Sequence, residues 1–206
     1  MKKLVSGLAG LLLLTIGVVA VAASQQPDHT HIERSVTMEA SGVDLEPHLT
    51  DFTTFLNWSP WTELDPDQVN TFSEPPSGAG AWYAWEGNSD VGKGRMDLTE
   101  VAPGSVTHHL TFIEPFPAEA DARIQWVESG EGLEVTWTYD ADNDFLAKTM
   151  SLFMDMDALL GPDYEKGLAN LKRNVERDAG MRREKARRAS VRAAAAETGA
   201  ETEAGE

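Results

Sequence analysis

The chain has 206 residues, and its 34 acidic against 17 basic side chains give a formal net charge of −17 at pH 7. This length predicts a single folded domain, and the charge argues against nucleic acid as a partner because phosphates would be repelled. The sequence contains no cysteine, which excludes disulfides, thiol nucleophiles and thiolate metal sites.

The N-terminus combines two lysines with a long uncharged stretch. Residues 4–23 follow Lys2 and Lys3, and as a helix at about 1.5 Å per residue they reach roughly 30 Å, the thickness of a bilayer's hydrocarbon core. Small residues over 20–24 are also typical of a signal-peptidase site, so a retained anchor and a cleaved signal both stay open. Because the stretch exceeds a usual signal core, we predict a transmembrane helix over residues 1–23, with the folded part on the extracytoplasmic side. The alternative is a secreted or periplasmic protein.

A polar linker over residues 24–30 precedes the first regular pattern. Residues 32–38 alternate between apolar and polar side chains, which predicts a strand, and apolar spacing over residues 45–56 predicts one or two short helices. Trp58 and Trp61 bracket a Ser-Pro turn. We expect them to pin these helices to a sheet, with direct ligand contact as the alternative.

The middle of the chain predicts a sheet built from consecutive strands. A short edge strand is predicted over residues 69–72, and five alternating runs follow between residues 81 and 139. Turn signals rich in Gly, Pro and Asn separate most of these runs, and such short links favour antiparallel pairing. The alternation leaves one apolar face that later helices have to cover.

Two helices near the C-terminus are predicted to provide this cover. A Met-rich apolar stripe over 146–160 predicts the first, the Gly-Pro pair at 161–162 is expected to separate them, and helical spacing over 164–175 predicts the second. The sequence thus predicts an α+β helix-grip fold, in which a curved antiparallel sheet of about six to seven strands wraps a long C-terminal helix. The domain spans residues 31–178, and residues 179–206 form a charged tail that is disordered or partly helical.

Several motifs in order also resemble those of one known superfamily, over about residues 31–176. They read NWSPW, GAGAWYAWEGN, VGKGRMDLTEVAP, TFIEPF, VTWTYD and NDFLAKTMSLFMDMDALLGPDYEKGLANLK. On these motifs the chain resembles the SRPBCC superfamily, specifically its polyketide cyclase/dehydrase and lipid-transport branch, which is related to the START domains. The resemblance implies a START-like fold with a deep apolar cavity between the sheet and the terminal helix. It does not by itself imply catalysis, because the name cyclase comes from a few members.

Little in the sequence predicts catalytic chemistry. His108 shares a face with apolar residues of its strand, so it is a candidate general acid or base, with a buried core histidine as the alternative. Its neighbour His109 points to the opposite face, which prevents the two from chelating one ion. His29 and His31 alone make a poor metal pair, so we predict no metal site and no cofactor.

Charged residues suggest two further contacts. Arg34 and Glu100 fall on apolar faces of predicted strands, so they are expected either to form an internal ion pair or head-group anchor, or to lie exposed at strand ends. A basic block over residues 182–192 either contacts an anionic membrane surface or extends the last helix in solvent.

Strand parity also predicts the lining of an apolar ligand cavity against the terminal helices. The predicted lining is Tyr83, Trp85, Met96, His108, Leu110, Trp126, Trp137, Met150 and Phe153. This sparsely polar surface predicts a membrane-tethered binding or carrier module for an apolar small molecule, lipid-like or polyketide-like, without turnover of its own. The predicted partners are therefore that ligand and the membrane. The alternatives are a cyclase or dehydratase acting on a polyketide-like or aromatic substrate in the same cavity, and a structural protein with a filled cavity.

Overall fold

The computed structural model describes residues 2–130 and 132–203, with side chains for residues 10–130 and 132–193. These residues form a seven-stranded antiparallel sheet and five α-helices. The strands are β1 (His29–Met38), β2 (Val69–Phe72), β3 (Trp82–Glu86), β4 (Lys93–Ala102), β5 (Ser105–Glu114), β6 (Ala118–Ser129) and β7 (Gly132–Asp142). The helices are α1 (Lys2–Ser24), α2 (Gly42–Thr50), α3 (Phe52–Phe55), α4 (Phe145–Ser151) and α5 (Met156–Glu203), with a 3-10 helix over Pro60–Glu63. The predicted helix-grip architecture, a curved antiparallel sheet with a long C-terminal helix, is confirmed.

The strand order is β1-β7-β6-β5-β4-β3-β2, so consecutive strands pair from β2 to β7 and β1 adds at the edge beside β7. The pairing of β1 with β7 runs over the whole of β1, with Ile32 opposite Tyr139 and Met38 opposite Leu133. Alternate residues of each long strand are buried on the inner face, as the period-two pattern predicts. This face carries the core and the candidate site.

Helix α5 covers the inner face and begins earlier than the sequence predicts. The predicted break at the Gly-Pro pair is wrong, because residues 161–162 lie inside α5 and the break between α4 and α5 falls at residues 152–155. Asp155 explains the early start. Its Oδ1 accepts the backbone N–H groups of Asp157 at 3.0 Å and Ala158 at 3.3 Å and so caps the helix. The proline removes one helical hydrogen bond without ending the helix.

The buried side of α5 matches the predicted apolar spacing. Tyr164, Leu168, Leu171 and Val175 are all buried, which places one helical stripe against the sheet. The Tyr164 ring lies 4.1 Å from the Trp137 ring of β7, centroid to centroid. This contact fixes how the first turns of α5 cross the sheet, and therefore how much space remains beside them.

Trp58 joins α2 and α3 to the sheet. Its side chain is fully buried, its Nε1 donates to the His48 carbonyl at 2.9 Å, and its ring packs edge-on against Trp137 at 5.3 Å. Asn170 of α5 donates to the Trp58 carbonyl at 3.2 Å. The residue therefore connects the short helices, the sheet and α5, in agreement with the predicted pinning role.

Helix α1 leaves the folded part as an apolar helix. Ala23 is fully buried and α1 packs against α4, whereas residues 10–18 are all exposed. Among the residues searched, those that the structure describes, no helix is both long and apolar enough to cross a membrane. The predicted membrane segment includes residues 1–9, whose side chains lie outside the described part. The membrane anchor therefore stays a prediction.

Candidate functional site

A cavity of about 290 Å³ lies between the inner face of the sheet and the start of α5. Its wall combines β3, β4, β5 and β7 with the 3-10 helix and α5. The residues that line it are Ser59, Trp61, Gln68, Tyr83, Trp85, Ser89, Asp90, Val91, Gly92, Met96, Leu110, Phe112, Glu114, Pro115, Tyr139, Leu160 and Tyr164. The volume lies close to the lower end of the range for small-molecule sites, about 300–1,000 Å³.

Trp85 forms one wall of the cavity because the neighbouring strand leaves room for its indole. It faces Gly94 on β4, where an added Cβ would overlap the Trp85 ring. Glycine is therefore needed for the indole to lie flat on that strand. Trp85 Nε1 donates to the Val91 carbonyl at 3.1 Å, and the ring packs edge-on against Phe112. These contacts hold the β3–β4 loop against the cavity.

Three tyrosines, Tyr83, Tyr139 and Tyr164, belong to this largely apolar lining. Burial raises the pKa of all three, because a phenolate would lose its hydration. For Tyr164, the nearby Tyr139 and Asp140 raise the pKa further. The hydroxyls therefore stay protonated, and each can donate as well as accept a hydrogen bond.

The outer rim of the cavity is polar and acidic. Ser89, Asp90, Glu114 and Pro115 are exposed and lie at or beyond the ends of β3 and β5. Lys93 is the register partner of Glu114, but its Nζ bonds Glu86 at 2.7 Å. Within the described part of the chain, no Lys, Arg or His lines the cavity. A carboxylate on a bound ligand would therefore find no cation there.

His108 lies in the core under α2 and α3 rather than in the cavity lining. Its ring packs against Phe52 and Phe55, with centroids 5.8 and 6.2 Å away, and it hydrogen-bonds the backbone of Leu49. Burial lowers its pKa to about 4, because the imidazolium would lose its hydration. Nε2 has no hydrogen-bond partner among the described residues. The ring is therefore neutral at physiological pH.

The structure brings four of the nine predicted lining residues together around the cavity: Tyr83, Trp85, Met96 and Leu110. Trp137 lies between Trp58 and Tyr164 in the core, and Trp126 lies against Gly42 at the start of α2. Met150 is half-buried in α4, and Phe153 is 78% exposed in the turn before α5. Parity identifies the inner face, but α2 and α3 cover part of that face and α5 the rest.

Sequence reasoning missed several lining residues. Phe112 and Tyr139 follow Leu110 and Trp137 at spacing two, so the same parity argument would have found them. Trp61, for which direct ligand contact is the alternative to the pinning role, lines the cavity from the 3-10 helix, and Leu160 and Tyr164 line it from α5. No local pattern indicates that these helical side chains meet the strand residues, because the contact depends on where α5 crosses the sheet.

A second titratable cluster lies on the outer face where β1 begins. Asp140 Oδ1 bonds His29 Nε2 at 3.1 Å and His31 Nδ1 at 2.6 Å, and His29 Nδ1 contacts Asp142 Oδ1 at 3.3 Å. The bond to Asp140, and then that to Asp142, raises the pKa of His29. In the described part of the chain, no group of three or more His, Asp or Glu side chains is arranged to hold a metal ion. The cluster ties the start of β1 to the end of β7.

Of the alternatives for Arg34 and Glu100, the ion pair is not formed, and Glu100 lies exposed on β4. Their strands, β1 and β4, are separated by three others, a distance of about 19 Å at roughly 4.8 Å per strand. Arg34 instead donates to both carboxylate oxygens of Asp157 and, through Nε, to Glu165, each at 2.9 Å. Gly161 lies over the guanidinium, which an added Cβ would overlap. Arg34 therefore anchors the start of α5 to β1.

A curved antiparallel sheet with an apolar cavity under its long terminal helix defines a helix-grip, START-like class of fold. The sequence also matches, over residues 29–176, the family described as polyketide cyclase / dehydrase and lipid transport, and the chain belongs to this family. The predicted SRPBCC relationship is thereby confirmed. A search of curated proteins gave no match.

Solved structures share the fold at low sequence identity. A protein from Chromobacterium violaceum is 14% identical with a TM-score of 0.50, over 73% of this chain and 99% of that one. The di-domain ARO/CYC protein StfQ from the steffimycin biosynthetic pathway is 12% identical with a TM-score of 0.53, over 74% of this chain and 52% of its own. A protein from Mesorhizobium loti is 10% identical with a TM-score of 0.52, over 72% and 98% of the two chains. These similarities establish the fold alone.

Proposed function

We propose that the protein is a membrane-tethered binding or carrier module for an apolar small molecule, lipid-like or polyketide-like, held in the cavity under α5. The observation that carries this proposal is the cavity itself, walled by aromatic and aliphatic side chains such as Trp85, Met96 and Leu110. Transfer of apolar ligand surface into such a wall contributes about 25 cal/mol per Å². Burial of apolar ligand surface can therefore account for binding without a charged or metal-binding group in the cavity.

The titratable groups support binding over catalysis. General acid or base catalysis needs a group whose pKa lies near the working pH and whose atoms reach the substrate. His108 lies outside the lining, and the lining tyrosines stay protonated. The rim carboxylates Asp90 and Glu114 are exposed to water. Among the described residues, the cavity lining thus offers hydrogen-bond donors and apolar surface, and its carboxylates lie at the exposed rim.

Helix α1 supports the tether and the extracytoplasmic location of the domain. Leu11, Leu12, Leu13, Leu14, Ile16, Val18 and Val21 are all exposed on it. A helix that is apolar on every side is stable only in a protein core or in lipid, and over residues 10–18 no part of the described chain covers this one. Lys2 and Lys3 then keep the N-terminus on the cytoplasmic side. Cleavage after the small residues at 20–24 is the alternative, and it would release the domain.

Adjacent leucines of α5 provide a matched test of the cavity. Leu160 lines it, whereas Leu159 is exposed. In Leu160→Trp the larger ring fills the space, so saturable binding of a neutral aromatic probe such as 1-aminoanthracene to the full chain in phosphatidylcholine nanodiscs should be lost. Leu159→Trp is the control and should bind as the wild type does. Equal binding by both variants, with circular dichroism showing that both are folded, would refute the cavity as the site.

An enzyme of the cyclase or dehydratase type, acting on a polyketide-like or aromatic substrate in the same cavity, is the second candidate. It is favoured by the three tyrosines in the lining and by the fold similarity to StfQ, a protein named ARO/CYC. In that case a tyrosine hydroxyl would serve as proton donor to a substrate carbonyl. The test is product formation from a linear poly-β-ketone. If Tyr139→Phe abolishes this activity and His108→Gln retains it, the enzyme is established over the carrier.

A further inference from the structure

The loops around the cavity rim and the end of α1 lie at one end of the sheet. Because neighbouring strands are antiparallel, this end holds the start of β1, β4 and β6 and the end of β3, β5 and β7. The β3–β4 loop and the β5–β6 turn supply Ser89–Gly92 and Glu114–Pro115 to the cavity. Helix α1 enters β1 here, and α4 leaves β7 here. The cavity therefore opens toward the same side as the apolar helix.

Large apolar side chains are exposed on the segments that join the strands at this end of the sheet, and on α4, which follows β7. Phe116 follows the rim residues Glu114 and Pro115 and is 52% exposed, and Phe153 in the turn before α5 is 78% exposed. The exposed neighbours on α4 and in the same turn are Phe145, Leu146 and Met154. Together with Phe116 and Phe153 they form what we call the mouth patch. A soluble protein seldom leaves so many large apolar side chains exposed together, so such a patch indicates a partner.

We infer that the mouth patch rests in the interfacial layer of a lipid bilayer, so that the cavity opens directly onto the membrane. The inference builds on the proposed tether and adds the orientation of the domain and the route of the ligand. The bilayer is assigned as the partner of the mouth patch because α1 and the patch are adjacent. α1 packs on α4 through its last turns, with Ala23 buried, and α4 carries part of the patch. Any bilayer that receives α1 therefore begins next to the patch.

The charges at this end define which lipid surface fits. Asp90 and Glu114 line the cavity at its rim, Asp144 caps α4 and Asp155 caps α5, and all four are exposed. Lys148, the cation on α4, bonds Asp28. An anionic surface would repel this acidic rim, while aromatic side chains favour the headgroup boundary of any bilayer. The patch thus fits a zwitterionic surface such as phosphatidylcholine, and its contact with lipid should weaken as phosphatidylglycerol is added.

The absence of cysteine allows a direct test with single-cysteine variants of the full chain, each carrying an environment-sensitive NBD label. Phe116→Cys and Phe153→Cys report on the patch and Val18→Cys on α1. Val127→Cys is the matched control, because Val127 is apolar and 66% exposed but lies near the end of β6, at the opposite end of the sheet. In phosphatidylcholine vesicles we expect blue-shifted emission and quenching by spin-labelled lipid at positions 18, 116 and 153. The label at 127 should be quenched by aqueous iodide.

The outcomes separate the two proposals. If label 18 enters lipid while label 116 or 153 behaves like label 127, the tether stands and the docked mouth is refuted. If label 18 remains in water, the tether of the proposed function is refuted, and labels 116 and 153 then show whether the mouth patch binds lipid without it. Replacing about a third of the lipid by phosphatidylglycerol should reduce lipid quenching at 116 and 153 but not at 18. Unchanged quenching at those two positions would overturn the assigned surface.

Discussion

His108→Gln tests whether this histidine is a neutral core residue or a working acid–base group. The folded pKa of about 4 lies below the usual value of 6.5 for histidine. As pH falls through this window, the unfolded chain takes up a proton before the folded chain does. The free energy of unfolding must therefore decrease with falling pH, and a stabilising contribution present above pH 6.5 is lost.

The shift of about 2.5 pKa units corresponds to a total loss of about 3.4 kcal/mol below pH 4. Between pH 8 and pH 5 the expected share is about 2 kcal/mol, because the unfolded histidine is almost fully protonated at pH 5 while the folded one is still neutral. Glutamine is similar in size, keeps an N–H group that can donate to the backbone of Leu49, and does not titrate.

Urea unfolding of the full chain in one detergent, followed by tryptophan fluorescence at several pH values, measures the effect. We expect the wild type to lose about 2 kcal/mol more than His108→Gln between pH 8 and pH 5, whatever the variant's stability at pH 8. His48 and the exposed carboxylates titrate in both proteins and cancel in the difference. Parallel profiles for wild type and His108→Gln would show that His108 is not buried as described.

The other predictions concern the rim, the tail and the membrane. The double variant Asp90→Asn/Glu114→Gln should bind an anionic probe such as a fatty acid a few-fold more tightly, up to about ten-fold at low salt, and should bind a neutral probe unchanged. Equal changes in affinity for both probes in competition titrations would exclude the charge effect. Truncation after Arg183 should leave the melting temperature within about 2 °C, because the removed Arg187 and Arg188 pair only with Glu184 of the same helix among the described residues. Arg182→Ala should lower the melting temperature, because it removes the partner of Asp44, whose side chain is 5% exposed. Full-length protein should stay in the membrane pellet after alkaline carbonate extraction; release with a new N-terminus near Ser24 would establish the cleaved signal instead.

The sequence predicts the fold well where a pattern is local. Alternation identifies β1 and the strands from β3 to β7, and helical spacing identifies the buried stripe of α5. It fails at the start of α5, where the Gly-Pro pair is the stronger stop signal in isolation. The Asp155 cap and the Arg34 bonds to Asp157 and Glu165 keep the helix continuous through it. The Arg34 bonds are tertiary contacts, so they cannot be predicted from the local sequence around residues 161–162.

The candidate site is predictable only in part for the same reason. Parity places Tyr83, Trp85, Met96 and Leu110 on the inner face, and the structure shows them around the cavity. The same parity applies to His108, which α2 and α3 cover through Phe52 and Phe55. Which part of an inner face is open depends on the crossing of α5 at Trp137, and on helices far away in the chain. A strand pattern therefore identifies a face but not a pocket.

An opening that faces lipid changes which interactions select the ligand. A molecule that enters the cavity from water gains about 25 cal/mol for each Å² of apolar surface that it buries. A molecule that enters from a bilayer leaves one apolar phase for another, so most of that gain cancels. What remains is the difference in packing and hydrogen bonding, and in this cavity the buried hydrogen-bonding groups include the protonated hydroxyls of Tyr83, Tyr139 and Tyr164. A tethered module of this kind would therefore select among apolar molecules by their carbonyl and hydroxyl groups, and it would exchange them readily because the apolar contribution opposes neither entry nor release.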